Sequence, residues 1–164
     1  MRCRWAGRVG ATGCVALLLA APAWVKSHAQ GAPASSALSI PTVQRMEPQD
    51  LNRLLHTREA EKPLVLQVGS RMMYDQAHIP GAEYAGPGSS PEGLKLLHDR
   101  VARLNRSTLI VIYCGCCPWT RCPNIGPAYH ELRRMGFTNV KALYLENNFG
   151  ADWANRGFPV AHGE

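Results

Sequence analysis

Short, densely apolar runs alternate along this chain with longer stretches whose apolar positions recur every three or four residues. Residues 64–68 (LVLQV), 108–113 (TLIVIY) and 140–145 (VKALYL) are nearly continuous apolar runs. Runs of this length rich in β-branched side chains predict strands buried on both faces. Residues 42–46 predict a short strand ahead of them. Between the runs, Glu47-Pro48 opens a helix reaching about Thr57, with Leu51, Leu54 and Leu55 on one face. Residues 72–77 predict a single helical turn, and His78-Ile79-Pro80-Gly81-Ala82 a tight turn. A second amphipathic helix begins at Pro91 with Leu94, Leu97, Val101 and Leu104 aligned. A third follows Pro123, carries Tyr129, Leu132 and Met135, and stops at Gly136. A short segment containing Trp153 closes the pattern.

Strand and helix in strict alternation imply parallel strands joined by crossover helices, an α/β fold. Ligands of such sheets bind beyond the carboxyl ends of the strands. The strongest strand, 108–113, ends at Cys114.

The first 29 residues have a different character. They hold Arg2, Arg4, Arg8 and Lys26, no acidic residue, and an apolar stretch centred on residues 15–21. Ser27-His28-Ala29 supplies small residues at the −3 and −1 positions of a cleavage site. This is the pattern of a secretory signal peptide, so the expected product is exported, periplasmic or secreted. Gly10, Thr12, Gly13 and Pro22 interrupt a run already short of the ~20 apolar residues of a membrane span, and no stable span is expected after cleavage. Residues 30–40 (QGAPASSALSI) have no periodic apolar face and predict a flexible lead-in. A single domain is expected over residues 41–162.

The 164 residues carry a net charge of +6, which superficially suggests nucleic acid. Without the leader, 14 basic residues face 12 acidic ones and no basic–aromatic stripe remains, so nucleic acid is excluded as the expected partner. Cysteine usage is more telling. Beyond the leader, Cys114, Cys116, Cys117 and Cys122 all fall within nine residues. Disulfides that staple a secreted fold close long loops, which these cannot do. The cluster is a local chemical site.

Four stretches together resemble the rhodanese family: residues 74–82 (YDQAHIPGA), 109–114 (LIVIYC), 135–140 (MGFTNV) and 153–160 (WANRGFPV). The resemblance implies a single rhodanese-like α/β domain, a central mainly parallel sheet flanked by helices. It also implies sulfurtransferase chemistry, with sulfane sulfur passing from a donor such as thiosulfate, through a cysteine persulfide, to a nucleophilic acceptor. The expected partners are therefore a small sulfur-donor anion and a thiol acceptor, with no cofactor. Two departures stand out. Gln67-Val68-Gly69 replaces the family's usual D-V-R, and the loop after Cys114 is about five residues longer than usual and holds three further cysteines.

Cys114, at the strand end, matches the family's nucleophile, and Cys117 is its rival if the extra residues precede the reactive position. Gly115, Trp119 and Arg121 are the substrate-binding candidates: a backbone N–H, an apolar wall and a cation. Cys116 and Cys122 are possible resolving or redox thiols. His78 is expected to be a structural hydrogen-bonding residue of its turn. Two alternatives remain open. One is a periplasmic dithiol–disulfide redox protein, because Cys114 and Cys117 have C-x-x-C spacing. The other is a thiol-rich metal or sulfur carrier, because Cys114, Cys117 and Cys122 offer three thiolates to zinc or copper(I).

Overall fold

The computed structural model describes residues 37–58 and 62–163. The leader at 1–29 and the first part of the lead-in lie outside the described residues. Five parallel strands form one sheet: β1 (Arg45–Met46), β2 (Leu64–Gln67), β3 (Glu83–Tyr84), β4 (Ile110–Tyr113) and β5 (Val140–Leu143), in the order β1-β5-β4-β2-β3. The flanking helices are α1 (Pro48–Leu55), α2 (Arg71–Gln76), α3 (Pro91–Val101), α4 (Ile125–Arg134) and α5 (Phe149–Asp152). Among the described residues no helix is long and apolar enough to cross a membrane.

β4 is the axis of the sheet. It pairs in register with β2, Leu64 against Ile110 through Gln67 against Tyr113, and with β5 on its other edge. All four of its residues are buried. Because side chains alternate along a strand, Ile110 and Ile112 enter one core with Leu97, Val101, Ile125 and Leu132 of α3 and α4. Val111 and Tyr113 enter the other, with Leu51, Phe149 and Trp153. Cys114 continues the first row and belongs to the α3–α4 side.

Three elements depart from the sequence expectation. Residues 42–44 form a 3-10 turn, because the Pro41 carbonyl accepts the Gln44 N–H at 2.9 Å, which leaves only two residues of β1 extended. β3 is too short to leave an apolar run. The chain also packs from Ala37 onward: Ala37–Ser39 form a 3-10 turn, and Ala37 and Ile40 are buried against the α3–α4 side. Helix starts are fixed locally. Ser70, Ser90 and Asn148 accept N–H groups of Met73, Gly93 and Ala151.

Candidate functional site

The site is assembled at the carboxyl end of β4 by segments distant in sequence. The Cys114 carbonyl accepts a hydrogen bond from Gln67 Nε2 at 3.3 Å, and the Gly69 N–H donates to Gln67 Oε1 at 3.1 Å. A Cβ at position 69 would lie 2.9 Å from Gln67 Nε2, 3.0 Å from the Cys114 carbonyl oxygen and 3.2 Å from its sulfur. In this packing Gln67 and Cys114 together leave no room for a side chain at position 69. Gly115 turns the chain with φ +79°, and its carbonyl accepts the Phe149 N–H at 2.9 Å. A Cβ there would meet Phe149 Cβ at 2.9 Å. Further along, the Trp119 N–H donates to the Glu146 carbonyl at 3.1 Å. The cysteine loop is therefore shaped by the segment that follows β5.

The four cysteines of the loop are free thiols. Cys114 Sγ lies 3.0 Å from Cys116 Sγ, which lies 3.5 Å from Cys117 Sγ. The three sulfurs fall within 4.8 Å of one another, a grouping of soft donors able to hold a thiophilic cation. That set includes Cys116 where the sequence suggested Cys122. Asn124 ties the cluster to the body of the domain. Its Nδ2 donates to Cys114 Sγ at 3.3 Å, while its Oδ1 accepts from the Ser89 N–H at 3.1 Å and the Ser89 hydroxyl at 2.7 Å.

The thiols differ sharply in exposure and in acidity. Cys114 and Cys122 are each 5% exposed, Cys117 is half-buried and Cys116 is exposed. Cys116 is pulled down to about 6, first by the Cys114 thiol and then by Cys117, its own N–H and Asn124. Cys122 is likewise pulled down to about 6, first by Cys114 and then by the amides of Ile125 and Asn124 at the start of α4. Cys114 moves the opposite way, because its interactions with Cys116 and Cys122, together with burial, hold its proton in place. Burial, then Cys116, raises Cys117. The amides at the start of α4 thus favour a thiolate at Cys122 and not at Cys114.

Two hollows meet the loop. Cys114, Cys117 and Cys122 line a small hollow of about 10 Å³ with Gly115, Trp119 and Ile125. Cys116 and Gly115 line a much larger open cleft of about 550 Å³, whose other walls include Met73, Gln76, Asn148, Phe149 and His162. No Lys or Arg is among the residues lining this cleft. Trp119 is a buried wall, edge-on to Tyr144, with the Arg45 guanidinium 5.2 Å from its ring centroid. Arg121 is exposed and lines neither hollow. His78 is built into its turn: its ring stacks on Tyr74 at 4.0 Å, Nδ1 bonds the Tyr74 carbonyl, and its backbone pairs with Ala161.

Asn124, Gly69, Ser89 and the residues around Phe149 were not legible as site residues. Asn124 had one local signal, a short polar side chain directly before a helix, but that signal reads as an ordinary cap.

The sequence profile of the rhodanese-like domain matches residues 47–145. No curated protein matches the chain. Among solved structures, it is similar to the rhodanese-like domain of a protein from Anabaena sp., at 25% identity and TM-score 0.52, covering 73% of this chain and 79% of that one. A Bacillus halodurans protein shares 24% identity with TM-score 0.56, over 72% of this chain and 76% of that one. An anaerobic ergothioneine biosynthesis enzyme from Chlorobium limicola shares the fold at 23% identity and TM-score 0.54, over 73% of this chain but 28% of that one. The fold, the strand-end cysteine and the matched profile lead to one conclusion: this chain belongs to the rhodanese-like domain family.

Proposed function

We propose that this protein is an exported sulfurtransferase that carries sulfane sulfur as a cysteine persulfide, and that sulfur enters at Cys116. The observation that carries this reading is the division of labour among the thiols. Cys116 is the exposed one, opens on the large cleft and is acidic enough to be a thiolate at neutral pH, whereas the strand-end Cys114 is buried and keeps its proton. A thiolate is the reactive form of cysteine. With thiosulfate as donor, the Cys116 sulfur attacks the outer sulfur, the S–S bond breaks, and sulfite leaves with the bonding pair. An acceptor thiolate then takes the terminal sulfur and regenerates Cys116. The cleft lining holds no Lys or Arg, which suits a small thiol or persulfide at least as well as an anion, so Arg121 has no assigned role in binding.

Reduced protein treated with thiosulfate or inorganic polysulfide is tested by intact-mass measurement. Cys114→Ser is expected to gain about 32 Da, one sulfur atom, and Cys116→Ser to gain none. Uptake by Cys116→Ser but not by Cys114→Ser would return the entry point to the strand end. Export rests on the leader pattern alone. N-terminal sequencing of protein from the native compartment is expected to begin near Gln30, and full-length chain in the membrane fraction would refute cleavage.

A further inference from the structure

We infer that the domain does not only pass sulfur on but discharges it as hydrosulfide, with Cys114 resolving the persulfide on Cys116 and an external dithiol restoring the pair. This rests on the reading that Cys116 carries sulfane sulfur. The geometry that points to it is the Cys114–Cys116 separation of 3.0 Å. A disulfide needs about 2.05 Å, so a closure of about 1 Å makes the bond. The approach is fixed from outside the pair. Gln67 holds the Cys114 carbonyl, Asn124 holds its sulfur, and Phe149 holds the Gly115 carbonyl between the two cysteines. The left-handed turn at Gly115, packed against Phe149, brings positions 114 and 116 together.

The step balances without an added oxidant. The Cys114 proton passes to the outer sulfur of the Cys116 persulfide, which makes Cys114 a thiolate and the outer sulfur a better leaving group. The Cys114 thiolate attacks the inner sulfur, a Cys114–Cys116 bond forms, the inner–outer S–S bond breaks, and the outer sulfur departs with that bonding pair as HS⁻. Two cysteine sulfurs are oxidised by one electron each, and the sulfane sulfur is reduced by two. The leaving sulfur departs from the residue that opens on the cleft, so its exit path is already present. Cys117 is the less suitable resolver. It lies 3.5 Å from Cys116, and a bond between adjacent residues departs from the separations and torsions disulfides prefer. The disulfide then awaits a dithiol reductant, since thiol–disulfide exchange is the route by which such bonds open. A monothiol acceptor and a dithiol reductant thus serve two outcomes of one persulfide.

The test is a single turnover. Fully reduced wild-type protein, freed of small thiols, is mixed with thiosulfate, and hydrosulfide, intact mass and the disulfide map are read together. The expected result is a hydrosulfide burst approaching a single equivalent, a product about 2 Da lighter than the reduced chain, and a Cys114–Cys116 bond by peptide mapping. At alkaline pH, where Cys116 ionises without help from the Cys114 thiol, Cys114→Ser and Cys114→Ala both take up the sulfur, hold it as a stable adduct of about 32 Da and lose the burst. Wild type that keeps a stable adduct without hydrosulfide, or a disulfide mapped to Cys116–Cys117 or Cys114–Cys122, overturns the inference and leaves the sulfur-carrying reading intact. Failure of wild type and both Cys114 variants to take up sulfur from thiosulfate or polysulfide sinks that reading, and the inference with it.

Discussion

Gly69→Ala adds one methyl group at the point where β2 meets the cysteine. Its carbon would sit 2.9 Å from Gln67 Nε2, 3.0 Å from the Cys114 carbonyl oxygen and 3.2 Å from Cys114 Sγ. All three approaches are tighter than ordinary van der Waals contact at roughly 3.5 Å or more. The carbonyl belongs to the end of a strand paired on both edges and cannot retreat, so the Gln67 amide and the Cys114 sulfur must give way. Overpacking of this kind costs about 1–3 kcal/mol. Displacing the Gln67 amide also forfeits its bond to the Cys114 carbonyl, another ~1 kcal/mol. Replacing glycine returns about 0.4–1 kcal/mol through the unfolded chain where the backbone conformation is compatible. The net is a loss of roughly 1–3 kcal/mol, read as a lower urea midpoint at unchanged slope. The chemical signature is more specific. A displaced Cys114 thiol no longer supports the Cys116 thiolate, so iodoacetamide alkylation of Cys116 shifts its midpoint to higher pH. Gly69→Ala with unchanged stability and an unchanged alkylation profile would refute both the packing argument and the coupling between the two thiols.

Asn124→Ala removes the acceptor of the Ser89 N–H and hydroxyl, which solvent replaces in part at that exposed residue, and the N–H held on Cys114; it is expected to cost about 1–2 kcal/mol by denaturant titration and to raise the alkylation midpoint of Cys116. In the wild type, alkylation of Cys116 is expected to rise through pH about 6, well below an ordinary thiol, and a midpoint near 9 would contradict the assigned thiolate. Stability follows by linkage. Cys116 and Cys122 are more acidic folded than unfolded, so their contribution is full above the unfolded thiol value and fades as pH falls towards 6. Cys114 and Cys117 are less acidic folded, so theirs is full below the unfolded value and is lost as pH rises past it. The thiol part of the melting temperature, read as wild type minus a variant with the four loop cysteines replaced by serine, is therefore expected to peak near the unfolded thiol value. Val111→Asp buries a carboxylate at a fully enclosed position in β4, and a melting temperature equal to wild type would remove that strand from the core.

The central strand and its neighbours were legible because burial on both faces leaves a continuous apolar signature, as in Leu64 to Gln67 and Ile110 to Tyr113. The helix stop at Gly136 was legible for a local reason too, since its φ of +89° is one that glycine adopts freely. β3 was not, because Glu83 and Tyr84 are two half-buried residues held by pairing to β2 and by the Arg100 guanidinium on Glu83. The site divided in the same way. That Cys114 ends a strand is a local fact, and the sequence carries it. That Cys116 is exposed while Cys114 is enclosed depends on Gly115 lying against Phe149 and on Gly69 lying against Cys114, contacts between residues more than thirty positions apart. Spacing within the loop contains no trace of either.

The bonds from Glu146 and Phe149 to the cysteine loop bear on the order in which the molecule is made. A chain growing from its N-terminus exposes Cys114 through Cys122 before the residues that shape the loop exist. Through that interval the thiols have the acidity of unfolded polypeptide, near 8.5, and are mostly protonated at neutral pH. The loop takes its final form only when residues 146–149 arrive and bond to it. The site thus takes shape only once the segment after β5 is in place, and a chain truncated before Glu146 would keep the four loop cysteines while lacking the contacts that hold their turn.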